Sequence, residues 1–189
     1  MRIILASASP RRRELLSGLF SEFDIMSADV DETLDAGLSL RDGVRELALR
    51  KGEPISREHP EALVISADTL VELDGVALGK PSDEQEAREM LGRLSGRTHF
   101  VHTGIAVRYK GRTAADTATS RVSFRTLSER EIAEYVATGE PLDKAGAYGI
   151  QGEGGRLVES FEGDFDTIVG LSVSLTERLV GEVTENDKQ

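Results

Sequence analysis

The sequence predicts a mixed sheet with helices packed on it, in the α/β or α+β class. Three observations predict it. Apolar runs of strand length alternate with helical spacing in the early part of the chain. The middle holds long β-rich runs joined by two-residue turns containing glycine. The helical stretches carry their own start and stop residues. No internal repeat, low-complexity tract or long linker interrupts the pattern, so residues 1–184 are expected to form a single domain and 185–189 a frayed tail.

Each element follows from its residues. "RIILA" reads as a short buried strand feeding the helix "PRRRELLSGL", with Ser9 suited to the cap and Pro10 to the first helical position. "FDIMSADV" alternates weakly and reads as a second strand running into the acidic "DVDET". "SLRDGVRELALRKGEPI" is helical, with Val44, Leu47 and Ala48 on one face. "ALVISADTLVEL" is strongly β, and Asp74-Gly75 is a good two-residue hairpin turn before "VALGK". In "SDEQEAREMLGRLSG", Ser82 and Gln85 read as a capping box, Ala87, Met90, Leu91 and Leu94 form the apolar stripe, and Gly96 stops the helix. Two long strands follow, turning at Lys110-Gly111. A second capping-box helix runs from Ser128 with Glu131 to Gly139. The Gly-rich "EPLDKAGAYGIQGEGG" comes next, then an expected hairpin in "RLVESFEGDFDTIVG" and a terminal helix in "LSVSLTERLVGEV".

Composition narrows the function classes. The chain has 189 residues, 39% hydrophobic and 30% charged, an ordinary balance for a globular protein with a real core. With no cysteine, neither a disulfide framework nor a thiolate metal site can form. No apolar run approaches the ~20 residues that span a bilayer, and "MRIILAS" is shorter than a secretory signal core, so the cytoplasm is expected and no membrane partner. A net charge of −11 argues against a general nucleic-acid binder. The densest acid, in "SDEQEAREM", reads as a solvated helix face.

Against that acidity, Arg11, Arg12 and Arg13 crowd the first turn of a helix. A helix N-terminus already carries partial positive charge, and each exposed cation there costs about 0.3–1 kcal/mol. The placement makes sense if an anion is meant to arrive. Ser7, Ala8 and Ser9 let backbone N–H groups approach a ligand, and arginine offers forked donors to phosphate oxygens. Asp68 closes the apolar run "LVIS" at a partly buried strand end, where a carboxylate must be paired, hydrogen-bonded or metal-bound. With Glu32 it would supply the hard oxygen ligands and water-activating acid of a Mg²⁺-assisted phosphoryl reaction; spacing does not show that the two meet. "GVALGKP" is one residue short of a phosphate-loop motif and has Pro81 where Ser or Thr is required. "GIQGEGG" does not follow a buried strand, so it is no dinucleotide fingerprint. His99 and His102 are three apart in a strand and face opposite ways, His59 is in a loop, and all three read as structural. No serine sits in a nucleophile elbow.

Together, "LASASPRRRELL", "DVDE", "SADTLV", "GKPSD" and "LDKAGAYGIQG", in that order from Ile3 to about Leu171, resemble the Maf family of nucleoside triphosphate pyrophosphatases. "AGAYGIQG" resembles the branch acting on dTTP and UTP. The resemblance implies an elongated mixed sheet flanked by helices, similar to inosine triphosphatases, a cleft between two lobes, and a homodimer. It implies hydrolysis between the α and β phosphates with a divalent metal, Mg²⁺ or Mn²⁺, as cofactor and a nucleoside triphosphate as substrate. Carried over residue by residue, Asp68 matches the catalytic proton acceptor, and Arg11, Thr69 and Gln151 match positions tied to choice of base. Glu32, Lys51 and Lys80 match further metal or phosphate contacts. On this reading Ser7, Arg11, Arg12, Lys51 and Lys80 meet the triphosphate, and Glu32 and Asp68 hold the metal.

Three departures stand out. Lys51 is followed by Gly52 where the family usually has Ala, and Gly52-Glu53-Pro54 is expected to end that helix early. "VGLS" replaces "VGLP", and Asp164 and Asp166 make one loop more acidic than usual. Two alternatives stay open: a pyrophosphatase for non-standard purine triphosphates, and a nucleotide-sensing regulator of septum formation without essential turnover.

Overall fold

A computed structural model describes residues 1–185. Its strands are β1 (Ile3–Leu5), β2 (Asp24–Ile25), β3 (Leu63–Leu73), β4 (Val76–Leu78), β5 (Thr98–Tyr109), β6 (Arg112–Phe124) and β7 (Val158–Glu162). Its α-helices are α1 (Pro10–Ser17), α2 (Leu40–Glu58), α3 (Glu84–Leu94), α4 (Glu129–Val136), α5 (Phe165–Val169) and α6 (Val173–Thr184), with three short 3₁₀ turns between α4 and β7. The strand order is β2-β1-β3-β5-β6-β7, and β4 pairs with β3. β1 runs parallel to both β2 and β3; β4 on β3 and β7 on β6 are antiparallel, so the sheet is mixed as expected.

The chain divides into two compact units. The first holds Met1–Thr69, Thr103–Ala118 and the chain from Gly170 on; the second holds Leu70–His102 and Thr119–Val169. In the first unit, Leu5, Leu16, Ile65, Ile105, Leu171 and Leu179 form one core, and Ile4, Ile55 and Val64 form another. In the second, Leu73, Leu91, Val101, Phe124, Tyr135 and Leu157 close the core.

Local signals account for most boundaries. Asp74 and Gly75 turn with φ of 52° and 76°, and Lys110 and Gly111 with 46° and 77°, the left-handed pairs that a two-residue hairpin of this twist requires. Ser128 and Glu131 form the expected capping box of α4. Ser172, the departure in "VGLS", is the N-cap of α6 and accepts from the Leu175 N–H.

Four expectations need correction. The α3 cap is Asp83, not Ser82, because its carboxylate reaches the Glu86 N–H; the Glu86 carboxylate accepts from the Ser82 N–H and hydroxyl before the cap, so the expected box does not form. α2 continues through Pro54 to Glu58. Its buried face outweighs a helix-interior proline, a cost of about 3 kcal/mol. Gly52 lets that face approach β3 closely, since a Cβ there would lie 2.5 Å from Ser66 Oγ. β2 is only two residues long. "RLVESFEGDFDTIVG" is not a hairpin. β7 pairs with β6, and the chain then turns at Gly163, with φ of 101°, into α5. Of the expected tail, Glu185 caps α6, and 186–189 lie outside the described residues.

Candidate active site

The first unit gathers two groups of polar side chains. The first group lies at the start of α1. Ser9 caps the helix and accepts from the Arg12 N–H, while Ser7 Oγ accepts from the Ser9 N–H. The Arg12 side chain turns inward. Nε donates to the Gly170 carbonyl at 2.9 Å, Nη1 to Ser7 Oγ at 3.2 Å and Nη2 to Thr69 Oγ1 at 3.1 Å. Thr69 Oγ1 also meets Thr103 Oγ1 on β5 at 3.0 Å. Burial pulls the Arg12 guanidinium below its ordinary value; the Asp68 charge opposes this, Arg11 adds to it, and Glu32 opposes it. Arg11 and Arg12 are half-buried and Arg13 is exposed.

The second group is built on Lys51 of α2. Its ammonium pairs with Asp68 Oδ1 and, at 2.9 Å, with Glu32 Oε1. The side chains of Lys51 and Asp68 are 17% and 15% exposed, against 65% for Glu32, so the Lys51–Asp68 pair is largely shielded from water and Glu32 is not. The loop carrying Glu32 is fixed from α2 as well: Arg50 Nη1 donates to the carbonyls of Asp31 and Thr33, one on each side of Glu32. Two carboxylates sharing one cationic partner are a hard-oxygen donor set suited to a divalent ion that takes its remaining ligands from phosphate. Among the described residues no group of three or more His, Asp or Glu side chains could hold a metal by itself.

The sequence-predicted residues Ser7, Arg12, Glu32, Lys51, Asp68 and Thr69 thus fall into these two groups, linked by Asp68 and Thr69 being neighbours on β3 and by the charges that Arg12 feels. Lys80 and Gln151 belong to the second unit, both exposed. Lys80 follows Gly79, whose carbonyl accepts from the Gly146 N–H at 3.1 Å. Gln151 lies in the loop that follows Tyr148, and that loop is held by Tyr135 and Glu140. Sequence reading missed Arg50, Thr103 and Glu140, since each acts through carbonyls, amides or a hydroxyl far along the chain. The only local hint was Arg50 beside Lys51.

The histidines are structural, as read. His99 Nε2 meets the Tyr148 hydroxyl at 2.8 Å within the core, and burial lowers its pKa to about 4. His102 has both ring nitrogens engaged, Nε2 with Glu72 Oε2 at 2.7 Å and Nδ1 with Thr119 Oγ1 at 2.8 Å. No helix among the described residues is long and apolar enough to cross a membrane.

A family model described as Maf-like protein matches residues 2–183. A dTTP/UTP pyrophosphatase of Bacillus cytotoxicus is 46% identical over 98% of this chain and 96% of its own. One of Clostridioides difficile is 49% identical over 92% and 91%. Among solved structures, the Staphylococcus aureus Ham1 protein is similar at a TM-score of 0.49 and 18% identity, covering 66% of this chain and 72% of that one.

Proposed function

The chain belongs to the Maf family, and from that premise we propose that it hydrolyses dTTP, UTP and modified pyrimidine nucleoside triphosphates to the monophosphate and pyrophosphate. Such a reaction removes unwanted nucleotides before they are incorporated into nucleic acids. The observation that carries the reading is the meeting of Asp68, Lys51 and Glu32 in one group whose charge reaches the half-buried Arg12 at a helix start. A cation-rich helix N-terminus suits a triphosphate, and a shielded carboxylate beside it suits water activation.

Asp68 takes a proton from the attacking water, whose oxygen bonds to the α phosphorus as the bond from that phosphorus to the bridging oxygen breaks. The electron pair leaves with pyrophosphate. Lys51 and Lys80 balance the charge that grows on that leaving group, and Ser7 and Arg11 bind phosphate oxygens. Arg12, which also meets the triphosphate on this reading, is held in place by Ser7 and Thr69. Asp68 and Glu32 would hold Mg²⁺ or Mn²⁺, which supplies Lewis-acid polarisation of the phosphoryl oxygens when bound. Arg11, Thr69 and Gln151 read the base, and the amide of Gln151 offers the donor and acceptor that the edge of uracil or thymine needs. The reading includes one catalytic domain of residues 1–184, a homodimer, and a cytoplasmic place beside the nucleotide pool.

Pyrophosphate release from a panel of dTTP, UTP, modified pyrimidines, CTP, ITP and 7-methyl-GTP, with Mg²⁺ or Mn²⁺, tests it. Release confined to uracil- and thymine-type bases, and lost in Asp68→Asn that still binds nucleotide, supports the reading. Release from purines overturns the base assignment. Near-normal turnover by Asp68→Asn overturns the role of Asp68.

A further inference from the structure

Gln151 is exposed, and a glutamine on a loose loop would be a poor reader of anything. Its loop is not loose. Glu140, at the start of the first 3₁₀ turn (Glu140–Asp143), points its carboxylate at the backbone of that loop. Oε2 accepts from the Glu153 N–H at 3.0 Å, and Oε1 from the Gly154 N–H at 3.1 Å. The Tyr135 hydroxyl donates to Oε1 at 2.9 Å and accepts from the Gly149 N–H at 3.1 Å. One carboxylate and one phenol therefore grip the backbone on both sides of Gln151: Gly149 before it, Glu153 and Gly154 after it.

The grip explains the glycines. A Cβ at Gly152 would lie 2.4 Å from Glu140 Oε2, and one at Gly154 would lie 2.5 Å from the Tyr135 hydroxyl oxygen. The loop wraps too closely for any side chain at these positions. Burial works against a charge on Glu140, but the Gly154 amide, the Tyr135 hydroxyl and the Glu153 amide outweigh it and hold the carboxyl below its usual range. Lys144 completes the anchor, donating to the Glu140 carbonyl at 2.9 Å. All of these residues belong to the second unit.

We propose that Glu140 is the positioning residue of the base-reading loop: by fixing the amides of Glu153 and Gly154 and the hydroxyl of Tyr135, it sets the pose of Gln151 and so the selectivity for uracil- and thymine-type bases. The inference rests on the reading of Gln151 as a base contact. Glu140 does no chemistry itself. It acts through backbone, and its loss falls on recognition rather than on the phosphoryl step. Glu140→Gln keeps the size but presents an N–H₂ where an acceptor is needed, leaving at least one loop amide facing a donor.

The experiment compares wild type, Glu140→Gln, Tyr135→Phe and Gln151→Ala, each checked for folding by thermal unfolding. KM and kcat are measured with UTP, dTTP and CTP, and amide exchange is followed at Glu153 and Gly154. Glu140→Gln is expected to lower the UTP-to-CTP ratio of kcat/KM by about tenfold, through KM for UTP, and to speed exchange at both amides, the size a charged hydrogen bond supports. Tyr135→Phe moves the ratio the same way by less, and carries the test if Glu140→Gln fails to fold. A loss uniform across the bases, or an unchanged ratio in a folded Glu140→Gln protein while Gln151→Ala shifts it, overturns the proposal. An unchanged ratio in Gln151→Ala itself overturns the base-contact reading and this inference with it, and is told apart from failure of the Glu140 role alone, in which Gln151→Ala still shifts the ratio.

Discussion

Arg12 Nε donates to the Gly170 carbonyl at 2.9 Å, joining residues 158 positions apart. The guanidinium spends its other two nitrogens on Ser7 and Thr69, so the loop before α1, strand β3 and the approach to α6 are tied to one planar group. A lysine has the charge but not the fork, and cannot span three such acceptors at once.

Arg12→Lys is therefore expected to destabilise the protein by about 2–3 kcal/mol, from lost hydrogen bonds to a charged group. Thermal unfolding should show a fall of roughly 5–10 °C for a chain of this size. Turnover should fall with it, since Ser7 and Thr69 lose their common partner.

Gly52 and Ser66 are coupled by space. Gly52→Ala puts a Cβ 2.5 Å from Ser66 Oγ, and is expected to cost about 1–3 kcal/mol through overpacking. Ser66→Gly removes the obstruction, so the double variant should recover part of that loss in urea unfolding. Simple additivity of the two single losses would show that the contact is not the cause.

His99 gives stability a pH dependence. Its folded pKa is about 4, below the ordinary 6.5, because burial disfavours the charged ring. Above 6.5 the ring is neutral in both states and costs nothing. As pH falls from 6.5 towards 4, the unfolded chain takes up the proton first, and stability drops by about 3 kcal/mol in total. Denaturant unfolding between pH 7 and pH 4 measures this slope, and His99→Leu should flatten it while losing the Tyr148 hydrogen bond.

Lys51 is the shared partner of Asp68 and Glu32. Lys51→Met leaves a shielded carboxylate without its cation, and should cut kcat/KM by roughly 10–100-fold, the scale of losing a charged partner worth a few kcal/mol. Steady-state pyrophosphate release measures it, and a change under threefold would remove Lys51 from the site.

Much of this was legible in the sequence, for local reasons. Both hairpin turns declare themselves by a glycine after a residue that tolerates positive φ, and the α4 box by Ser128 and Glu131. Asp68 after an apolar run, though inside β3 and not at the strand end expected for it, and the arginines at a helix start marked the candidate site. What stayed hidden depends on distant atoms. Pro54 reads as a helix stop unless one knows that Gly52 seats α2 against Ser66. The α3 cap shifts by one residue because Asp83 and Ser82 are both good caps and the fold decides between them. Glu140 looks like one more acid in a glycine-rich stretch until Tyr135 and two amides are found around its carboxylate.

The division of the chain into segments also bears on how the protein is made. The second unit is complete in sequence once Val169 has been synthesised, but the first needs the chain from Gly170 on. Leu171, Leu175 and Leu179 belong to its core, and the Gly170 carbonyl holds Arg12. Residues 1–69 therefore cannot complete that core before the chain from Gly170 on has been made. The helix start carrying the arginines stays unlocked until Gly170 has been made, so the first unit cannot finish folding before the whole of the second has been synthesised.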